Sequence, residues 1–368
     1  VSGLPAAAVD DGVVAADERI PLTLLTGFLG SGKTTLLARL LAHPDMGETA
    51  VIVNELGEVG IDHHLLTRVD ERTVLLDSGC LCCTLRGDLA DELRDLIDRM
   101  DAGEIPRFRR VAVETTGLAE PAPILFTLLT DQVVQTHYRL DGVVTTVDAV
   151  NGDDQLTRQP EAAKQAAVAD RLVVTKSDIA EPGAAAALAD RLRRINPHAA
   201  VLTVVQGEIH PDDLLAAPVR DLRVVADELA AQGHGAAGAA GGHRHDHGAH
   251  DHAADHADHA GHQHGPDEAH AFSIVLDAPL DWTAFGVWLS MLLQAHGSSV
   301  LRVKGLLDVG GTGPLLLNGV QHVVHPPQHL AAWPDDDHRS RLVVIARGIE
   351  ESAVRASLVA FDGTARRS

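Results

Sequence analysis

The stretch "GFLGSGKTT" at 27–35 does most to limit what this chain can fold into. An apolar run, "PLTLLT" (21–26), leads into it, and a helical segment (33–42) leaves it. Strand, glycine-rich loop and helix in that order are the opening unit of a parallel α/β sheet. The stretch fits G-x-x-x-x-G-K-[ST] at Gly27, Gly32, Lys33 and Thr34. Such a loop has a physical purpose. Gly27, Gly30, Ser31 and Gly32 are small enough for successive backbone N–H groups to curl around a phosphate, with Thr34 and Thr35 at the helix N-terminus adding its positive end. Lys33 can reach the β- and γ-phosphates, and the Thr34 hydroxyl can bind Mg²⁺.

The runs that follow support the same fold. Strand candidates lie at 49–54, 73–77, 110–114, 140–147, 171–175 and 200–205, most of them near-continuous in apolar residues, as strands covered on both faces are. Helical candidates separate them at 86–100, 121–130, 160–169 and 183–195. The expected fold class is α/β, a mostly parallel sheet flanked by helices, with a smaller α+β C-terminal domain. That second domain is read from a strand at 272–277, a helix at 280–296, strands near 299–308, 314–318, 320–325 and 341–347, and a helix at about 350–360. The chain divides into a disordered leader (1–19), a P-loop domain (20–230), a His-rich disordered linker (231–270) and the C-terminal domain (271–368). The linker holds 11 of the 22 histidines among Gly, Ala and Asp, a composition that cannot build a core.

Charge and composition exclude some functions. A formal net charge of −22 argues against a nucleic-acid partner, which needs clustered Lys and Arg. No apolar run is long enough to span a membrane, and the first 20 residues carry acids where a secretory signal would be apolar. A cytoplasmic location is expected.

Two further stretches fit a nucleotide site. In "VVTKSD" (173–178) a strand delivers Thr175, Lys176 and Asp178. A carboxylate there can accept two hydrogen bonds from guanine, which adenine cannot supply, so Asp178 would select GTP. In "VAVETTGLAEP" (111–121), Glu114 ends a strand where it can hold Mg²⁺ through water, and Gly117 lets backbone approach the γ-phosphate. Lys33, Thr34 and Glu114 are the candidate catalytic residues.

All three cysteines, Cys80, Cys82 and Cys83, fall within "GCLCC" (79–83). An odd number so closely spaced is no disulfide framework. Clustered thiolates suit Zn²⁺, Co²⁺ or Cu⁺; buried packing and redox chemistry are the other readings. A tetrahedral site needs a fourth ligand, for which "NELGEVGIDHH" (54–64) offers Glu55, Glu58, His63 and His64.

In order, "TGFLGSGKTTLL", "NELGE", "GCLCC", "ETTGLAEP" and "TKSD" resemble the CobW-like metal-handling GTPases, relatives of the nickel chaperones. The resemblance covers about 20–210 and the region from about 270 to 362. It implies metal ligation by Cys80, Cys82 and Cys83 with Glu55 as an oxygen ligand, and nucleotide-sensing behaviour of "NELGE" and the cysteine strand. Leu56 stands where that family usually has Phe.

These readings combine into a GTP-hydrolysing carrier that passes a transition metal, zinc or else cobalt, to a metal-dependent client protein, with slow intrinsic hydrolysis and no oligomeric state implied. The competing expectations are a maturation factor for a cobalamin-pathway enzyme or nitrile hydratase, a non-catalytic metal store, and an ATP-dependent enzyme such as a kinase. The His-rich tract is read as a metal buffer or a plain solubilising linker.

Overall fold

The computed structural model describes residues 18–54, 74–78, 88–215 and 269–365, apart from positions 312 and 335. Within these, seven strands form a parallel sheet: β1 (Ile20–Gly27), β2 (Thr49–Asn54), β3 (Val74–Ser78), β4 (Arg110–Glu114), β5 (Tyr138–Asp148), β6 (Arg171–Thr175) and β7 (Ala200–Thr203). Their spatial order is β3-β2-β4-β1-β5-β6-β7. Side chains alternate between faces, and both faces are covered. Leu22, Leu24, Ala50, Ile52, Val111, Val113 and Val143 join one core. Their neighbours Leu25, Val51, Ala112 and Val144 join another. This is why the strands read as unbroken apolar runs.

The helices are α1 (Lys33–Leu41), α2 (Asp88–Asp101), α3 (Pro121–Thr130), α4 (Gln132–His137), α5 (Gly152–Arg158), α6 (Pro160–Val168), α7 (Ala184–Ile195) and α8 (Pro211–Leu215). The start of α4 is set locally: the Asp131 carboxylate accepts the N–H groups of Val133 and Val134, both at 3.1 Å, capping two orphan donors. Short helices α4, α5 and α8 are additions to the sequence reading, too short for apolar periodicity to reveal.

The second sheet is antiparallel. It contains β8 (Ala269–Leu276), β9 (Val300–Leu307), β10 (Leu315–Val320), β11 (Val323–Val324), β12 (Gln328–His329) and β13 (Ser340–Arg347), ordered β11-β10-β9-β13-β8 with β12 beside β10. Helices α9 (Trp282–His296) and α10 (Glu351–Ala365) bury Phe285, Trp288, Leu289, Val354 and Leu358 against one face. The Asp281 carboxylate caps α9 by accepting the Ala284 N–H at 2.7 Å. The expected boundary at 271 is corrected here. Ala269 and His270 already pair with Arg347 and Ala346 of β13, and Ala269 is buried against helices of the first domain. Composition alone had grouped them with the histidine tract. Residues 1–17 and 216–268 lie outside the described residues.

The other face of this sheet meets the first domain. Leu301 and Ile345 share a core with Ala166, Leu172 and Leu192. Arg302 and Lys304 of β9, both buried, converge on Asp170, which lies between α6 and β6. Arg302 also donates to the carbonyls of Val168 and Ala169, and Asp170 accepts the Val143 N–H at 2.9 Å. Burial alone would raise the Asp170 carboxyl, but the two cations hold it well below the usual carboxylate range. Two imidazoles share the cluster's field. Burial, then Lys304 and Arg302, lower His198 to about 3. Burial and Arg302 lower His325 to about 4.

The signs agree. A histidine depressed in the folded state contributes stability above the unfolded imidazole value, about 6.5, which is lost as pH falls toward the folded value. Asp170, depressed from its unfolded value, contributes stability lost only below about pH 4. Thermal stability should therefore decline between pH 6.5 and 4 first through the histidines. His198→Leu should flatten that decline by on the order of 2 kcal/mol, measured as Tm by calorimetry from pH 7 to 4.5; an unchanged slope would remove His198 as a contributor.

Candidate nucleotide site

The site is assembled at the C-terminal ends of β1, β4, β5 and β6. Gly27 ends β1 with φ 142°, and a Cβ there would stand 2.3 Å from the Thr146 hydroxyl and 2.5 Å from the Thr146 carbonyl. Only glycine fits. Gly30 and Gly32 take φ 71° and 91°, turning the loop so that Gly32 becomes the N-cap of α1. The Ser31 and Thr146 hydroxyls share a buried hydrogen bond of 2.6 Å. Lys33, also buried, donates to the carbonyls of Gly27 at 3.0 Å and Phe28 at 3.3 Å, so its ammonium lies over the loop.

Three neighbouring segments close on this loop. From β4, the Thr34 hydroxyl donates to Glu114 Oε1 at 2.6 Å, joining the first turn of α1 to the buried acid. Gly117 lies so close that a Cβ would meet the Leu29 nitrogen at 2.6 Å. The Thr116 hydroxyl beside it is buried with no protein partner among the described residues. From β6, the Thr175 hydroxyl donates to the Ser31 carbonyl at 2.7 Å, tying that strand to the phosphate loop. Past it, Lys176 adopts φ 55° and reaches back to Asp148 Oδ2 at 2.8 Å. Asp148 is buried, which would raise its carboxyl, but Lys176, the Asn151 amide and the Val150 N–H together hold it below its ordinary value. Asp178 is exposed, two residues beyond Lys176.

Gly27, Gly30, Ser31, Gly32, Lys33, Thr34, Glu114, Gly117, Thr175 and Lys176 are thus gathered at one edge of the sheet, with Thr35 in the first turn of α1. Cys80, Cys82, Cys83, Glu55, Glu58, His63 and His64 lie outside the described residues.

Two residues of the site escaped the sequence reading. Asp148 orients Lys176. Gln165, fully buried on α6, donates its amide to the carbonyls of Gly117 at 3.1 Å and Ala119 at 3.0 Å. It braces the loop after β4 from behind. A glutamine inside "PEAAKQAAV" looks like any helix-surface residue; only the alanines around it hint at close packing.

A phosphate loop at the head of a parallel sheet, with a strand-end acid and a Thr-Lys-x-Asp strand, defines a P-loop nucleotide-binding domain of the GTPase type. The comparisons are more specific. The family model described as CobW/HypB/UreG, nucleotide-binding domain, matches residues 21–203. That of the cobalamin synthesis protein cobW C-terminal domain matches 269–361. The zinc chaperone YjiA of Escherichia coli (strain K12) is 34% identical over 351 residues, covering 92% of this chain and 97% of that protein. The zinc chaperone CobW of a Sinorhizobium species is 28% identical over 378 residues, covering 94% and 98%. The crystal structure of the Zn(II)-bound YjiA GTPase from E. coli superposes with a TM-score of 0.65 at 30% identity, over 93% of this chain and 99% of that one. The chain belongs to the CobW/HypB/UreG family.

Thr175→Val leaves the buried Ser31 carbonyl without this donor and should cost about 1–3 kcal/mol, seen as a lower Tm of the nucleotide-free protein. Thr175→Ser, which keeps the hydroxyl, should recover most of it; equal losses in both variants would assign the effect to packing instead.

Proposed function

We propose that this protein is a GTP-hydrolysing zinc metallochaperone in which nucleotide and metal bind to neighbouring strand ends and favour each other. One observation carries the reading: the strand order β3-β2-β4-β1. Asn54 pairs with Ser78, and Val53 pairs with Glu114, which in turn pairs with Leu25 two residues before Gly27. The chain leaves β2 directly into Glu55, and leaves β3 for Cys80 two residues after Ser78. At about 4.8 Å per strand, the row from β1 to β3 spans only about 14 Å. The names of the YjiA and CobW relatives as zinc chaperones, and the Zn(II)-bound YjiA structure, support zinc as the ion.

Each residue then has a role. Backbone N–H groups of the loop from Gly27 to Thr35 cradle the phosphates, and Lys33 transfers from loop carbonyls to the β- and γ-phosphates. The hard oxygen pair of Thr34 and Glu114 would hold Mg²⁺, which would supply positive charge against the phosphates. Gly117 and the buried Thr116 hydroxyl face the γ-phosphate side. Asp178 selects guanine, with Thr175 and Lys176 holding that loop in place. Cys80, Cys82 and Cys83 with Glu55 hold zinc as cargo for a metal-dependent client; cobalt suits the same ligand types. Gln165 uses its amide to fix the loop after β4, and no other glutamine in the sequence stands out as a water-positioning group, so unaided hydrolysis is slow.

Because coupling is reciprocal, a non-hydrolysable GTP analogue should tighten zinc binding by the same factor as zinc tightens the analogue. A coupling of 1–3 kcal/mol would be about 5–150-fold. Calorimetric titration of wild type and of the Cys80/Cys82/Cys83→Ala variant measures it. The variant should lose the coupling and keep nucleotide binding; equal zinc affinities with and without the analogue in wild type would refute the gating.

A further inference from the structure

At the opposite end of α1 from the phosphate loop, two His-Pro-Asp sequences come together: His43-Pro44-Asp45 and His210-Pro211-Asp212. Nothing in the nucleotide site uses them. The chain folds the same way at each. His43 Nδ1 accepts the Asp45 N–H at 3.2 Å ahead of the 3₁₀ turn Pro44–Met46, and His210 Nδ1 accepts the Asp212 N–H at 3.2 Å ahead of α8. The two imidazoles meet edge to face with centroids 4.8 Å apart. Asp45 lies against both: its Oδ2 is 3.6 Å from His43 Nδ1 and 3.9 Å from His210 Nε2. One ligand atom from each of the three residues falls within 4.8 Å of the others.

We propose that His43, Asp45 and His210 form a second divalent transition-metal site on the protein surface, separate from the cysteine triplet. Two imidazoles and one carboxylate are borderline ligands, suited to zinc and its first-row neighbours rather than to Mg²⁺ or Ca²⁺. Tetrahedral Zn²⁺ with bonds of about 2.0–2.1 Å sets donors about 3.3 Å apart, so small rotations of the half-buried His43 and the exposed Asp45 and His210 close the set, with water as fourth ligand.

The tautomers work out. His43 presents Nδ1 to the ion and returns the Asp45 N–H to solvent. His210 presents Nε2 and shifts its proton to Nδ1, which releases the Asp212 N–H to solvent and lets the ring donate to Asp212 Oδ2 once that carboxylate closes its present 3.6 Å. A carboxylate behind a metal-binding imidazole is the arrangement that orients the ring and raises its basicity.

The backbone beneath is fixed. Met46 and Leu214, buried with Leu36, Leu37, Leu40 and Leu41, tie both turns to α1. Gly207 crosses α1 so closely that a Cβ would stand 3.2 Å from the Leu36 Cα. The nine residues of α1 separate the site from the phosphate loop by about 13 Å. This inference does not rest on the GTPase reading.

The test is histidine carbethoxylation of the full chain, followed by peptide mass spectrometry during Zn²⁺ titration. His43 and His210 should be protected together, with one midpoint. That midpoint should stay unchanged in Cys80/Cys82/Cys83→Ala, and should rise by about tenfold or more in Asp45→Asn and in Asp212→Asn. His43→Asn, which retains a capping acceptor, should abolish protection of His210 without lowering the zinc-free Tm. Modification of both histidines at a zinc-independent rate, or an unchanged midpoint in Asp45→Asn, would overturn the site.

Discussion

The nucleotide site depends on one steric fact: β1 must end in a residue with no side chain. Thr146 on the neighbouring strand occupies the space where a Cβ on Gly27 would stand. That close approach lets Thr146 bond the Ser31 hydroxyl, and Ser31 in turn presents its carbonyl to Thr175. Strands β5 and β6 therefore hold the phosphate loop through hydroxyls, while β4 holds it through Glu114 and Gly117. These short bonds are made inside a dry sheet edge, where an unmade one is costly. The loop is preorganised by its neighbours more than by its own sequence.

Much of this was legible beforehand. The phosphate loop announces itself because every glycine in it answers to a backbone demand. The parallel sheet was legible because strands buried on two faces lose their alternation. Glu114, bonded to Thr34, was legible as an acid at the end of a strand. Asp148 and Gln165 were not. Each supports another residue rather than a ligand, and an acid at a strand end or a glutamine on a helix carries no signal of the group it will meet. Lys176 was read only as a member of the nucleotide-site motif, and its bond to Asp148 depends on β5 lying beside β6.

The junction between the sheets was hidden for a different reason. In "VLRVKGLL" the charges at Arg302 and Lys304 alternate with apolar residues, the usual mark of a strand with one wet face. Both are instead buried, because that face meets Asp170 and the α6 carbonyls of another domain. A period of two records that two faces differ. It does not say whether the polar one meets water or a complementary charge.

That junction also bears on how the two domains act together. Asp170 sits at the start of β6, five residues before Thr175, and accepts an N–H from β5. The C-terminal sheet therefore grips the same pair of strands whose far ends hold the phosphate loop. A buried charge cluster is a poor source of net stability but a strict setter of geometry, since displacing one partner strands the others. Clamped at one end by Arg302 and Lys304 and at the other by Ser31, β6 has little freedom to move alone. On the opposite side of β1 the order runs through β4 and β2 to β3, and the chain leaves β2 into Glu55 and β3 toward the cysteines. The C-terminal domain also touches that side, where Val320 joins the core of β4 and β2 and His322 meets Phe126, so both halves of the sheet are seated against it.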